Sequence, residues 1–197
     1  MDNPTLKFVK TEEAEFVKAL STAQQKAAAL EPKLNMLYEI LRQGESDREK
    51  ETVLRWQVGY DLAMGRVLAV KIRTETYNAM LAAAKRGLKP KDPKNNTWKL
   101  EPSDSISVGS QYAKLGERAK TYLERVAKNH PDTPWAMLAQ RELNNKLGWA
   151  WEESFTDTTP PPKPKTKANP NPVTAAARKP QKQMLPPPET RPVPKKL

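Results

Sequence analysis

The stretch VLRWQVGYDLAMGRVLAVKIRTETYNAML, residues 53–81, decides how the rest of the chain reads. Within it Val53, Trp56, Tyr60, Ala63, Val67, Val70, Thr74, Tyr77 and Leu81 succeed one another in steps of three and four. That spacing lays a single apolar stripe along one face of a long helix. Arg55, Asp61, Arg66, Lys71, Arg73 and Glu75 fall between the stripe positions, on sides suited to solvent or to a partner.

Upstream, Phe16, Leu20, Ala23, Ala27, Leu30, Leu34, Leu37 and Leu41 keep the same rhythm. Thr11, followed by Glu12 and Glu13, reads as the hydroxyl cap and acidic first turn of that helix. Pro32 lacks a backbone donor and clashes with the preceding turn, so a kink is expected there, the stripe staying in phase across it. Residues 43–46 read as the turn, with Gly44 as a left-handed C-cap and Ser46 and Glu49 as a capping box. Two long amphipathic helices joined by so short a turn pack antiparallel. The second runs from about residue 47 to 86, on the order of 60 Å at 1.5 Å per residue. The expected core is Trp56, Tyr60, Val67, Val70, Tyr77 and Leu81 against Leu30, Leu34 and Leu37. Gly59 and Gly65 either weaken the helix or let another segment come close.

Residues 1–10 read as an extended lead-in, and Gly87 ends the second helix. Residues 88–107 form a turn-rich connection with Pro90, Pro93 and Pro102, in which residues 97–100 alternate as a short extended piece. A second helical pair is expected over 108–159. Tyr112, Leu115, Ala119, Tyr122 and Val126 mark its first helix, and Thr133 and Pro134 are the N-cap and first residue of the next. Trp135, Leu138, Ala139 and Leu143 supply that helix's apolar face. Trp149, Trp151 and Phe155 follow as an aromatic closing strip.

Composition divides the chain unevenly. Residues 160–197 hold 12 of the 19 prolines, nine basic residues and one acid, Glu189, for a net +8. The preceding 159 residues carry 25 basic and 22 acidic side chains, a net +3. The last segment therefore reads as a disordered, polyproline-containing basic tail. The absence of cysteine excludes disulfides, thiolate catalysis and cysteine-based zinc sites. No apolar run approaches the roughly 20 residues of a membrane span, and the N-terminus lacks a hydrophobic signal core, so a soluble, cytoplasmic protein is expected.

Few residues suggest chemistry. His130 is the only histidine and sits between Asn129 and Pro131, where it reads as a turn residue rather than a ligand or base. Glu12, Glu13 and Glu15 match a helix start, and no phosphate-binding glycine loop or serine triad is present. No catalytic residue, metal ligand or cofactor is expected. The five tryptophans read as core area for thin helical layers. Asp61, Arg66 and Arg73 read as structural ion pairs, or, with Trp149 and Trp151, as a partner-binding surface.

Ala119, Tyr122, Leu123, Val126, the run from His130 to Ala136, Ala139 and Leu143 resemble a single tetratricopeptide-type helix hairpin. Over residues 5–153 a broader resemblance runs through residues 55–66, Lys71-Ile72-Arg73, Tyr77-Asn78, residues 130–143 and Gly148-Trp149. It is to the C-terminal helical region of bacterial proteins carrying a von Willebrand factor A domain. The A domain and its Asp-x-Ser-x-Ser metal pattern are absent from this sequence. The resemblance implies a stand-alone helical region or the C-terminal piece of a larger protein, and it brings no catalytic residues.

The expected architecture is thus all-α: a lead-in (1–10), a long antiparallel hairpin (11–87), a connection (88–107), a shorter tetratricopeptide-like hairpin (108–159) and a disordered tail (160–197). The expected function is a non-catalytic scaffold that binds an unidentified protein partner. The alternative is polyanion binding, to nucleic acid or an anionic surface, through the tail and the basic residues of 85–99.

Overall fold

The computed structural model describes residues 4–159, so the expectation of a disordered tail lies outside the described residues. The elements in chain order are β1 (Lys7–Val9), α1 (Glu13–Ala28), α2 (Glu31–Gln43), α3 (Glu45–Arg48), α4 (Leu54–Lys85), β2 (Thr97–Ser103), α5 (Ser110–Asn129), α6 (Pro134–Leu143) and β3 (Gly148–Ser154). Helix dominates, but the all-α expectation is corrected by a three-stranded antiparallel sheet in the order β1-β2-β3.

The sheet assembles three pieces that are far apart in sequence. Phe8 pairs with Trp98 and Trp98 with Glu153, while Leu100 faces Trp151 and Pro102 faces Trp149. Side chains two apart share a face of a strand, so Phe8, Trp98, Leu100, Trp149 and Trp151 line one side of the sheet. Lys7, Lys99, Glu101 and Glu152 occupy the other. Pro102 is tolerated in the central strand because β1 pairs only as far as Lys99, leaving the Pro102 end flanked on one side.

Helix α4 is the axis. At 32 residues it is about 48 Å long. One core cluster joins its C-terminal half, through Tyr77, Met80, Leu81 and Ala84, to Phe16 and Leu20 of α1 and to Phe8, Trp98 and Leu100 of the sheet. A second joins Met64, Leu68, Ala69 and Ile72 to Ala119 and Tyr122 of α5 and to Leu147. A third joins Val58 and Leu62 to Leu123 and Val126 of α5 and Ala139 of α6. A helix enclosed from several sides is apolar on several sides.

That enclosure corrects the expected single stripe. Val58, Leu62, Gly65, Ala69, Ile72 and Thr76 form a second series with the same four-three step, and all six are buried. Of the expected stripe, Tyr77 and Leu81 are buried, but Tyr60, Val67 and Val70 are only partly so. Trp56 is 63% exposed and is not core, because α2 ends beside Tyr60 and, among the described residues, no element covers the first turn of α4. The facing helix α2 buries no residue fully; Leu30 and Leu34 are half-covered, and Leu37 is 49% exposed on its outer side, against the expectation of core. On the other hairpin Tyr122 is buried and Trp135 half-buried, while Leu138 is exposed, a second correction to the expected core.

The long hairpin is also less regular than expected. Around Pro32 the helix breaks: α1 stops at Ala28, and α2 begins at Glu31 with the proline in its first turn, where no backbone donor is needed. Gly44 is not left-handed (φ −85°), and Ser46 makes no capping box. Instead the chain forms the single turn α3, leaves helical conformation, and starts α4 at Leu54, where the Glu51 carboxylate accepts from Val53 N–H at 2.8 Å. In the second hairpin Thr133 does cap α6, its hydroxyl oxygen accepting from Ala136 N–H at 3.2 Å with Pro134 at the first position.

Candidate interaction surface

Three helices converge on α3. Arg48 of α3 donates to both carboxylate oxygens of Asp61 on α4, and Arg125 of α5 donates to Oδ1 of the same carboxylate at 3.1 Å. Asp61 is 2% exposed, so its charge is held almost entirely by these two guanidinium groups. The pairing pushes the Arg48 pKa up, chiefly through its hydrogen bond to Asp61. Beside it Glu45 accepts from the Tyr122 hydroxyl and, at 2.8 and 3.1 Å, from Arg118, which also donates to the Tyr38 hydroxyl. The Tyr122 hydrogen bond, working against burial and helped by Arg118, holds the Glu45 carboxyl below its ordinary value. Burial and the adjacent Glu45 raise Tyr122.

The residues expected to meet a partner are placed differently. Asp61 is enclosed and fully engaged. Arg73 donates to Glu142 of α6, and its backbone carbonyl accepts from the Trp149 indole at 3.0 Å. Trp149 also stands edge-on to Tyr77, with ring centroids 5.8 Å apart. Trp151 meets Phe8 edge-on at 6.1 Å. Arg66 keeps a 53%-exposed side chain 3.8 Å from Glu142. Asp61, Arg73, Trp149 and Trp151 therefore join elements of this chain to one another. Asp61 pairs with Arg48 and Arg125, and Arg66 and Arg73 both face Glu142.

Most of the exposed large apolar side chains lie elsewhere, Met137, Leu138 and Phe155 aside. Met36, Leu37 and Ile40 stand 64%, 49% and 59% exposed on the outer side of α2. Val53, Leu54 and Trp56 do the same around the start of α4. Between α3 and this first turn opens a cleft of about 480 Å³, lined by Trp56, Tyr60, Gln57, Asp47, Glu51 and Arg48 together with Gly44. A smaller cavity of about 110 Å³ lies between α5 and the α6–β3 turn, and its charged lining, Asp104, Glu117 and Glu142, is already paired with Lys146, Lys120 and Arg73. Sequence reasoning missed the first surface because it assigned Trp56 and Leu37 to the core. The signal present was the pair of adjacent apolar positions, Met36-Leu37 and Val53-Leu54, of which a single inward stripe accounts for only one each.

Among the described residues no group of three or more His, Cys, Asp and Glu is gathered to hold a metal ion, and no helix is long and apolar enough to cross a membrane. Comparison with protein-family models, with curated proteins and with solved structures finds no match to this chain.

Proposed function

We propose that this protein is a non-catalytic helical scaffold that binds a protein partner. The observation that supports the reading is the exposure of Met36, Leu37 and Ile40 on α2 and of Val53, Leu54 and Trp56 around the start of α4. The core clusters on the same axis helix, through Met64, Leu68 and Ile72 and through Val58 and Leu62, are buried, so this exposure is not a by-product of a loose core. The α5–α6 hairpin, with its capped second helix, is consistent with a tetratricopeptide-like unit, and the resemblance to the region that follows A domains favours a scaffold that works within a larger assembly. Capture from a native lysate of the source organism is the test. A protein partner that survives 200 mM salt and nuclease treatment, and that is lost on Ile40→Asp, is the expected outcome.

Polyanion binding is the second reading. Arg86, Lys89, Lys91 and Lys94 are all exposed in the connection between α4 and β2, and the sequence of residues 160–197 adds a net +8. Such binding falls steeply with salt through counterion release. Tight DNA or heparin binding at 200 mM salt would favour this reading over the first.

A further inference from the structure

The cleft between α3 and α4 has an aromatic wall and acidic sides. Trp56 and Tyr60 supply the rings, and Asp47 and Glu51 supply carboxylates. Among the described residues its one lining cation, Arg48, is turned toward Asp61, a carboxylate it shares with Arg125. Among the described residues Asp47 is bridged only by Lys50, at 3.3 Å, and both side chains are 75% exposed. A pair so exposed is held weakly and yields readily to a competitor. One carboxylate oxygen of Glu51 accepts from Val53 N–H, which fixes the side chain at the cleft and leaves the other oxygen. Residues 45–51 as a whole carry Glu45, Asp47, Glu49 and Glu51 against Arg48 and Lys50.

Trp56 already attracts a cation of its own chain: the Arg55 guanidinium lies 5.8 Å from its ring centroid. An indole face beside carboxylates is the environment that a cationic side chain favours, through the ring quadrupole and through charge-assisted hydrogen bonds. An anionic ligand would meet Asp47 and Glu51, and a purely apolar one would strand them. We propose that this cleft receives an arginine or lysine side chain from a basic segment of a protein partner, stacked on Trp56 and paired with Asp47 and Glu51. The inference rests on the interaction-module reading above and names the chemistry of its partner.

The test uses the full chain and a pair of fluorescein-labelled peptides of equal length, one with arginine at alternate positions and one with glutamate there. The arginine peptide should bind and the glutamate peptide should not. Trp56→Ala, and separately the double change Asp47→Asn with Glu51→Gln, should each weaken the arginine peptide by roughly three- to ten-fold. Lys50→Ala should tighten it, because an internal competitor for Asp47 is removed. Circular dichroism matching the parent shows that each variant is folded, as expected for side chains this exposed. Equal binding of both peptides, or unchanged affinity in the folded Trp56→Ala and double variants, overturns the proposal. So does self-association of the full chain that Trp56→Ala abolishes, since the occupant is then a second copy rather than a separate partner. Partner capture from lysate that is insensitive to Trp56→Ala overturns the cleft assignment alone and leaves the scaffold reading standing.

Discussion

Arg48 closes on Asp61 with two parallel hydrogen bonds, Nε to Oδ1 at 3.0 Å and Nη2 to Oδ2 at 2.6 Å. The two residues are 13 apart in sequence, and the fork joins the short helix α3 to the axis helix α4. Arg125 adds a third element, so one buried carboxylate sets the relative placement of α3, α4 and α5. This joint also forms the rear of the acidic, aromatic cleft, since Arg48 lines it.

Removing Asp61 leaves two guanidinium groups facing each other without a counter-ion. Asp61→Ala should lower the unfolding free energy by about 3 kcal/mol, in the range for breaking a buried ion pair by deleting one partner. Arg125→Ala, which leaves the two-bond fork intact, should cost much less. Urea denaturation of the two variants measures the difference, and equal losses would show that the fork does not dominate the joint.

Trp56 and Tyr60 stand one turn apart on α4 and should respond oppositely to substitution. Trp56→Ala removes a mostly exposed ring and should change stability by no more than about 0.5 kcal/mol. The Tyr60 hydroxyl donates to the Leu41 carbonyl at 2.8 Å, and its ring meets Tyr122 edge-on at 6.3 Å. Tyr60→Asp puts a charge into that contact and deletes its hydrogen bond, with an expected loss of about 3 kcal/mol. Thermal melts of the two variants check the contrast, which a continuous buried stripe would erase.

Three glycines of this fold should behave differently when given a methyl group. A Cβ on Gly148 would collide with the Ser105 carbonyl oxygen, which is backbone and cannot swing aside. Gly148→Ala should cost on the order of 3 kcal/mol and loosen β3. A Cβ on Gly65 would lie 2.7 Å from Leu123, a side chain rather than backbone, so Gly65→Ala should cost less. A Cβ on Gly59 meets nothing within 4 Å, and Gly59→Ala should stabilise α4 by about 0.5–1 kcal/mol through helix propensity alone. Chemical denaturation of the three variants gives the order directly.

Alkaline pH should weaken the fold through its tyrosines. Burial pushes Tyr77 up from 10.0 to about 12, and its hydroxyl donates to the Thr5 carbonyl at 2.6 Å. Tyr60 and Tyr122 are raised as well, burial being the first cause in each. Between pH 10 and 12 the unfolded chain loses the Tyr77 proton while the folded chain retains it. The stability this residue contributes is therefore present below pH 10 and is lost as pH rises toward 12. Glu45 acts at the other end. Its lowered pKa contributes stability above the ordinary carboxylate value, and that contribution is lost as acid protonates it in the folded state. Denaturation midpoints across pH, compared with Tyr77→Phe, should show a shallower alkaline decline in the variant.

Local sequence was enough to place the longer helices and several of their ends, though not the short α3. Three-four periodicity located α1, α2, α4 and α5, Thr133-Pro134 opened α6, and Gly87 closed the region after α4, where its φ is +122°. These features depend on spacing along the chain and on the conformational limits of single residues. The alternation at residues 97–100 likewise showed an extended piece. That this piece is the middle of a sheet was not legible, because its partners are three residues near the N-terminus and seven around Trp151. The three residues of β1 are too few to announce a strand, and strand pairing between distant segments leaves no mark in either one.

Which stripe of α4 is buried was settled by packing. Residues 53–81 carry two series with the same step, and the one richer in aromatic side chains looks the stronger in sequence. The series through Val58, Gly65 and Thr76 is nevertheless buried more completely, because Gly65 lets Leu123 and Ala119 of α5 come close to the helix backbone. Large residues at Trp56 and Leu37 are not core, because none of the described elements arrives to cover them. Burial is a property of what packs against a face, and periodicity reports only that a face exists.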